Sequence, residues 1–309
     1  MSLSFTATAV HAVTRLQRKC SKLWRNCSYF SYCFSGKFCY NSIILIRVFI
    51  MTVTESVYMK DTIETIPVNE AFSSGDECPF CYLERMAEQR TIRYVLGPGA
   101  SYMEPDVRAV TDVKGFCRGH FKKLYDFGNP LGNALIMQTY YEGLVDELEQ
   151  VNRKYVMPAK KPLIGKRKAT DENTLLQWAR QKRSTCFLCD RLEYNMDRYY
   201  LTFFALIKKE EFRTLVENSK GFCIHHFSQL LEQAEEKLPN SQREWFYETG
   251  MRLMRENLAR VKGDIDWFVG MFDYRQAGAD WKNSRDAVSR GMQKLQGHYP
   301  ADKPYKMDP

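Results

Sequence analysis

GFCIHHF, residues 221–227, decides how this chain is read, because GFCRGHF, residues 115–121, repeats it with only the later histidine position kept. The pair selects His226 and His120 and sets His225 aside, since Gly119 stands in the corresponding place of the other copy. Each copy is preceded by a Cys-x2-Cys pair: Cys78 and Cys81 come before Cys117 and His120, and Cys186 and Cys189 before Cys223 and His226. The offset between copies is 108 residues at the first pair and 106 at the second. The flanks agree as well, Lys114-Gly115-Phe116 with Lys220-Gly221-Phe222 and Phe121 with Phe227. A set of matches at one period marks an internally duplicated chain.

Each of these pairs opens a helical segment. Three residues make nearly one turn, so both members of a pair leave the same face and can grip one ion. A helix N-terminus also favours the thiolate, the form of cysteine that binds metal. Three thiolates and an imidazole form the closed tetrahedral set of structural zinc. The candidate metal ligands are therefore Cys78, Cys81, Cys117, His120, Cys186, Cys189, Cys223 and His226. Zn2+ is the expected cofactor, with an iron–sulfur cluster as the alternative that thiolates also suit. The simplest expectation joins the two pairs within one copy, closing a helical hairpin of about 40 residues at little extra entropic cost for its length. Spacing alone leaves open whether each half holds its own ion or the ligands pool into one shared site.

The helices around these motifs carry their own punctuation. Pro79 opens a segment over 79–96 that Gly97-Pro98 stops, Pro105 opens a shorter one that Gly115 ends, and a third runs from about Cys117 to Gly128. After Pro130, Met137, Tyr141, Leu144, Leu148, Val151 and Tyr155 step by fours and threes. The second copy answers with Tyr247, Met251, Met254, Leu258, Val261, Ile265, Phe268 and Phe272. These are heptad seams, expected to pack on each other within the chain or to offer an interface to a second copy or another protein. Only Thr62 to Val68 alternates enough for an extended arm. The expected fold is all-α, an internally duplicated helical bundle with two long helices and two Cys3His sites. Residues 1–58 form an N-terminal appendage or a mis-assigned start, 59–157 the first metal-binding repeat, 158–170 a basic linker, 171–277 the second repeat, and 278–309 a C-terminal helix and tail.

The net charge of +8 invites a nucleic-acid reading until the charges are located. Seven of the 45 basic residues fall in the first fifty residues, which hold no acidic one, leaving 38 basic against 37 acidic residues. Five more sit in the linker MPAKKPLIGKRKA, so the folded body has no basic excess and no nucleic-acid partner is expected. SIILIRVFIM, residues 42–51, is too short to cross a bilayer and carries Arg47, so no membrane partner is expected either. Translation from Met51 or Met59 would account for the odd composition before them, and an arginine-containing, acid-free stretch also fits an organelle transit peptide. Paired cysteines without an export signal favour metal over disulfides and a cytoplasmic location.

Other chemistry leaves little trace. CPFC, residues 78–81, looks like a thioredoxin-type dithiol, but the β-α-β pattern is missing and the second copy, CFLC, lacks the proline. There is no Gly-rich phosphate loop after a strand, no G-x-S-x-G and no H-E-x-x-H. No catalytic residue is assigned, and enzymatic activity is left open. Glu84 and Glu193 follow the cysteine pairs as candidate supports for the ligands or as acid/base groups, with surface helix charges as the default. The function expected is that of a metal-binding interaction or scaffold module, against a redox protein using iron–sulfur or dithiol chemistry.

TIPVNEAF, ECPFCYLE, YVLGPGASYMEPDVRA, GFCRGHF and LYDFGNPLGNAL together resemble a family of uncharacterised proteins from anaerobic Firmicutes-type bacteria, over residues 59 to about 277. The resemblance implies the same eight motif positions as functional residues and a start near Met59, with residues 1–58 outside the family pattern. It implies no substrate.

Overall fold

The computed structural model describes residues 65–155, 157 and 174–307. The N-terminal appendage and all of the basic linker 158–170 lie outside them. Eleven α-helices are present among the described residues, and no strand. They are α1 Thr65–Ser73, α2 Pro79–Leu96, α3 Pro105–Lys114, α4 Arg118–Phe127, α5 Pro130–Arg153, α6 Thr174–Ser184, α7 Phe187–Leu206, α8 Glu210–Glu217, α9 Ile224–Lys237, α10 Asn240–Gly270 and α11 Ala287–Gln296.

Prolines start the helices as their missing N–H and fixed φ dictate: Pro79, Pro105 and Pro130 each occupy the first turn of α2, α3 and α5. Asn129 caps α5 through its side chain, accepting from the Gly132 N–H at 2.9 Å. Gly115 ends α3 with φ +59°, and Gly221 holds φ +70° at the matching place before the second Phe-Cys. A Cβ on Gly115 would stand 2.5 Å from the Tyr140 ring, so both backbone angle and space require glycine there.

The extended arm expected at Thr62–Val68 is not formed where the chain is described: residues 65–73 are α1, and 62–64 lie outside the described residues. The short alternation is overridden by Val68, Ala71 and Phe72, whose three-and-four spacing buries one helical face against α2 and α7.

The centre of the molecule is the pairing of α2 with α7. Phe80, at the start of α2, stacks on Tyr200 near the end of α7 with centroids 4.8 Å apart. Phe187 and Leu188, at the start of α7, share a cluster with Ile92, Val95 and Leu96 at the end of α2. The two helices are therefore antiparallel. A large aromatic core, with Phe72, Phe80, Phe203, Phe222 and Phe246, lies at the α2 N-terminal end, and the smaller cluster lies at the other.

The two heptad seams do not form a common interface. α5 packs on α3, α4 and α6, while α10 packs on α11 and α9. Thr139 donates to Asp112 at 2.6 Å on the α3 side of α5, and the seam residues Tyr141 and Leu148 remain exposed.

Candidate metal centres

All eight expected ligands converge, in two groups of four. Cys78, Cys81, Cys223 and His226 form the first centre; Cys117, His120, Cys186 and Cys189 form the second. Within each, one atom per residue lies within 4.8 Å of all the others. Each centre thus takes one pair from each sequence copy, which corrects the hairpin expected within a copy. The cause is the antiparallel α2/α7 pair. α2, at 18 residues, is about 27 Å long and carries Cys78 and Cys81 at one end. The chain leaves its far end through short α3 and reaches Cys117 there, where α7 begins with Cys186 and Cys189. By the same logic, leaving α7 through α8 brings Cys223 and His226 back to the start of α2.

The spacing suits one ion per group. A tetrahedral zinc with Zn–S about 2.3 Å and Zn–N about 2.0 Å sets sulfurs about 3.8 Å apart and sulfur and nitrogen about 3.5 Å apart. Cys81 and Cys223 sulfurs are 3.7 Å apart, and His226 Nδ1 lies 3.6, 3.5 and 3.1 Å from Cys78, Cys81 and Cys223. In the second centre Cys117 and Cys189 sulfurs are 3.8 Å apart, with His120 Nδ1 at 3.3, 3.1 and 3.4 Å from Cys117, Cys186 and Cys189.

Backbone N–H groups at the helix starts support the sulfurs. His226 N–H donates to Cys223 Sγ at 3.3 Å and Cys189 N–H to Cys186 Sγ at 3.4 Å. Each imidazole turns its other nitrogen to a carboxylate: His120 Nε2 is 3.1 Å from Glu88, and His226 Nε2 is 3.6 Å from Glu84. Such carboxylate partners fix the ring and its tautomer for the metal. Both acids stand on α2, one turn apart, so a single helix orients the histidines of both centres. Glu84 takes the supporting role considered for it; Glu193 is exposed and takes none that the contacts show. Glu88 carries no motif signal, and only its position one turn after Glu84 on the same face would have found it.

Crowded sulfurs disturb one another's protons. Cys223 and Cys78 push the Cys81 thiol far above its ordinary range. Burial opposes ionisation of Cys186, but His120 and backbone N–H groups bring its thiol down to about 6. Burial would lower both histidines, yet the neighbouring thiolates raise His120 and His226 to about 10, with Glu88 adding to the effect at His120. Each centre thus sets a lowered thiol, Cys78 or Cys186, beside a raised histidine, and a divalent cation bound there would displace the protons that these donors carry.

The loops that present the ligands are tied differently. In the second centre Phe187 N–H donates to Gly115 O at 2.9 Å, and Thr185 Oγ1 to Lys114 O at 2.8 Å. In the first, Pro79 stands where Phe187 does and has no N–H to give. Lys294 of α11, 1% exposed, instead donates to the carbonyls of Glu77 and Lys220, joining the two ligand loops. Sequence reasoning missed Lys294, because a lysine in a C-terminal helix carries no sign of being buried.

Residues 59–302 match the sequence profile of a family of unknown function, DUF6062. The chain belongs to the DUF6062 family. The match passes through α11, beyond residue 277 where the resemblance read from motifs stopped, so DUF6062 includes the helix that carries Lys294. No curated protein and no solved structure matches the chain.

Proposed function

We propose that this chain is a zinc protein in which two structural ions join the halves of a helical body that serves as an interaction or scaffold module. The observation that carries the reading is the pair of closed four-ligand shells at single-ion spacing, each imidazole backed by a carboxylate. Zn2+ supplies charge neutralisation and a rigid tetrahedral vertex when bound, and needs no redox partner. The chain's own residues do the rest: Glu84 and Glu88 hold the imidazoles, and helix starts hold the thiolates.

A multi-iron cluster spreads its ligands over different iron atoms, so sulfurs and nitrogen all within 4.8 Å favour a single ion over the iron–sulfur alternative. Among the described residues the six cysteines are unbridged, which suits a reducing, cytoplasmic setting. No helix among the described residues is long and apolar enough to cross a membrane. The interaction role is supported by α5, which exposes Met137, Tyr141, Val145 and Leu148 along one side.

The test is elemental analysis with an absorption spectrum on the full chain purified without oxygen, followed by chelation monitored by circular dichroism. Two zinc per chain, no visible band and loss of helix content on chelation are expected. Iron with visible absorption, or helix content that survives complete metal removal, would overturn the reading.

A further inference from the structure

The two centres have the same donor set and opposite exposure. In the first, Cys78, Cys81, Cys223 and His226 are 0, 2, 0 and 1% exposed. Its sulfurs are roofed by the end of α11, where a Cβ built on Gly297 would lie 3.7 Å from both Cys81 and Cys223. In the second, Cys186 and His120 are buried, but Cys117 is half-buried and Cys189 is exposed. Those two most accessible sulfurs are also neighbours, 3.8 Å apart. The first centre lies in the large aromatic core, while the second borders the small cluster of Ile92, Leu96, Phe116 and Phe187.

We propose that the second centre is a site of oxidative modification, in which a peroxide joins Cys189 to Cys117 as a disulfide and releases the ion while the first centre stays closed. This rests on both centres being zinc sites. A thiolate remains the reactive form of cysteine, and its oxidation follows access. The Cys189 thiolate attacks the peroxide O–O bond, giving a sulfenic acid and one hydroxide. The Cys117 thiolate then displaces a second hydroxide from that sulfur, forming the S–S bond. Two electrons pass from the sulfurs to the peroxide, which takes up two protons and leaves as two waters. Closing 3.8 Å to a bond of about 2.05 Å is a small movement for two side chains on helix starts. The ion, left with Cys186 and His120, loses its closed shell and dissociates. α4 is then tied to α7 by a covalent bond in place of the ion, and a thiol reductant with zinc restores the original state.

The experiment is titration of the full, zinc-loaded chain with hydrogen peroxide, with released zinc read by a chromogenic chelator and modified cysteines mapped by mass spectrometry. One of the two zinc equivalents should leave at least about tenfold faster than the other, as the difference in access implies, together with a Cys117–Cys189 disulfide that reductant reverses. Equal release of both ions, first modification among the six motif cysteines at Cys78, Cys81 or Cys223, or a first disulfide between any other pair of those six would overturn the proposal. Metal analysis of the untreated chain separates the two claims. Absence of zinc there defeats the structural-zinc reading, whereas a two-zinc chain whose Cys189 survives peroxide defeats this proposal alone.

Discussion

His225 and His226 are neighbours with ring centroids 5.1 Å apart, yet one is exposed and the other is 1% exposed among three sulfurs. Replacing His226 by Ala removes a ligand and should abolish one of the two metal equivalents, while His225→Ala should change stability by no more than about 0.5 kcal/mol. Metal content and thermal melting of the two variants check this. Glu88→Gln keeps the shape but weakens the hold on His120, and should lower metal affinity of the second centre by roughly tenfold to a hundredfold. Competition with a zinc chelator reads that effect. At this scale the sequence was legible where the two motifs could be compared, since Gly119 opposite His225 separated the histidine that joins the sulfurs from the one that does not. It was silent on Glu88, whose role comes from helix geometry and from the ion pair that Lys123 adds.

Among the elements, α11 is turned inside out. Val288, Met292 and Leu295 are exposed, whereas Arg290, Gln293 and Lys294 are buried. Gln293 donates to Asp76 at 2.7 Å, Arg290 donates to Asp264 and Asp286 at 2.8 Å, and Lys294 ties the loops before Cys78 and Cys223. The helix therefore packs through hydrogen bonds and charge, and apolar periodicity marks its wrong face. Lys294→Met should destabilise the metal-loaded chain by about 3 kcal/mol, because two carbonyls lose their donor and Glu77 loses a close cation. Urea unfolding measures it. Helices that proline and glycine punctuate, such as Pro79–Leu96 and Pro105–Lys114, were legible to the residue. α1 was not, because a nine-residue segment offers too few turns for its period to beat a local alternation.

For the whole molecule, the decisive fact is the antiparallel α2/α7 pair, which sends each cysteine pair to the other copy's histidine. No spacing in the sequence encodes that, since crossed and uncrossed pairings close loops at similar entropic cost. Crossing would make an ion held at either centre a bridge between the halves of the chain. A protease cut within residues 158–170 should leave the two fragments eluting together in gel filtration, and chelation should separate them. Fragments that part while metal is bound would show that the ions do not hold the halves.

The crossed ligand sets are also nested, like one pair of parentheses inside another: residues 117–189 hold the inner set and 78–226 the outer. In a chain made from its N-terminus, the inner centre can be completed once Cys189 has left the ribosome. Cys78 and Cys81 must wait for His226, and the lysine that locks their loop follows later still. The most deeply buried centre is thus the last to be finished, with its first two thiols already made and unligated while nearly half of the chain is synthesised. The fold places its heaviest protection around the ligands that had the longest exposure while the chain was being built.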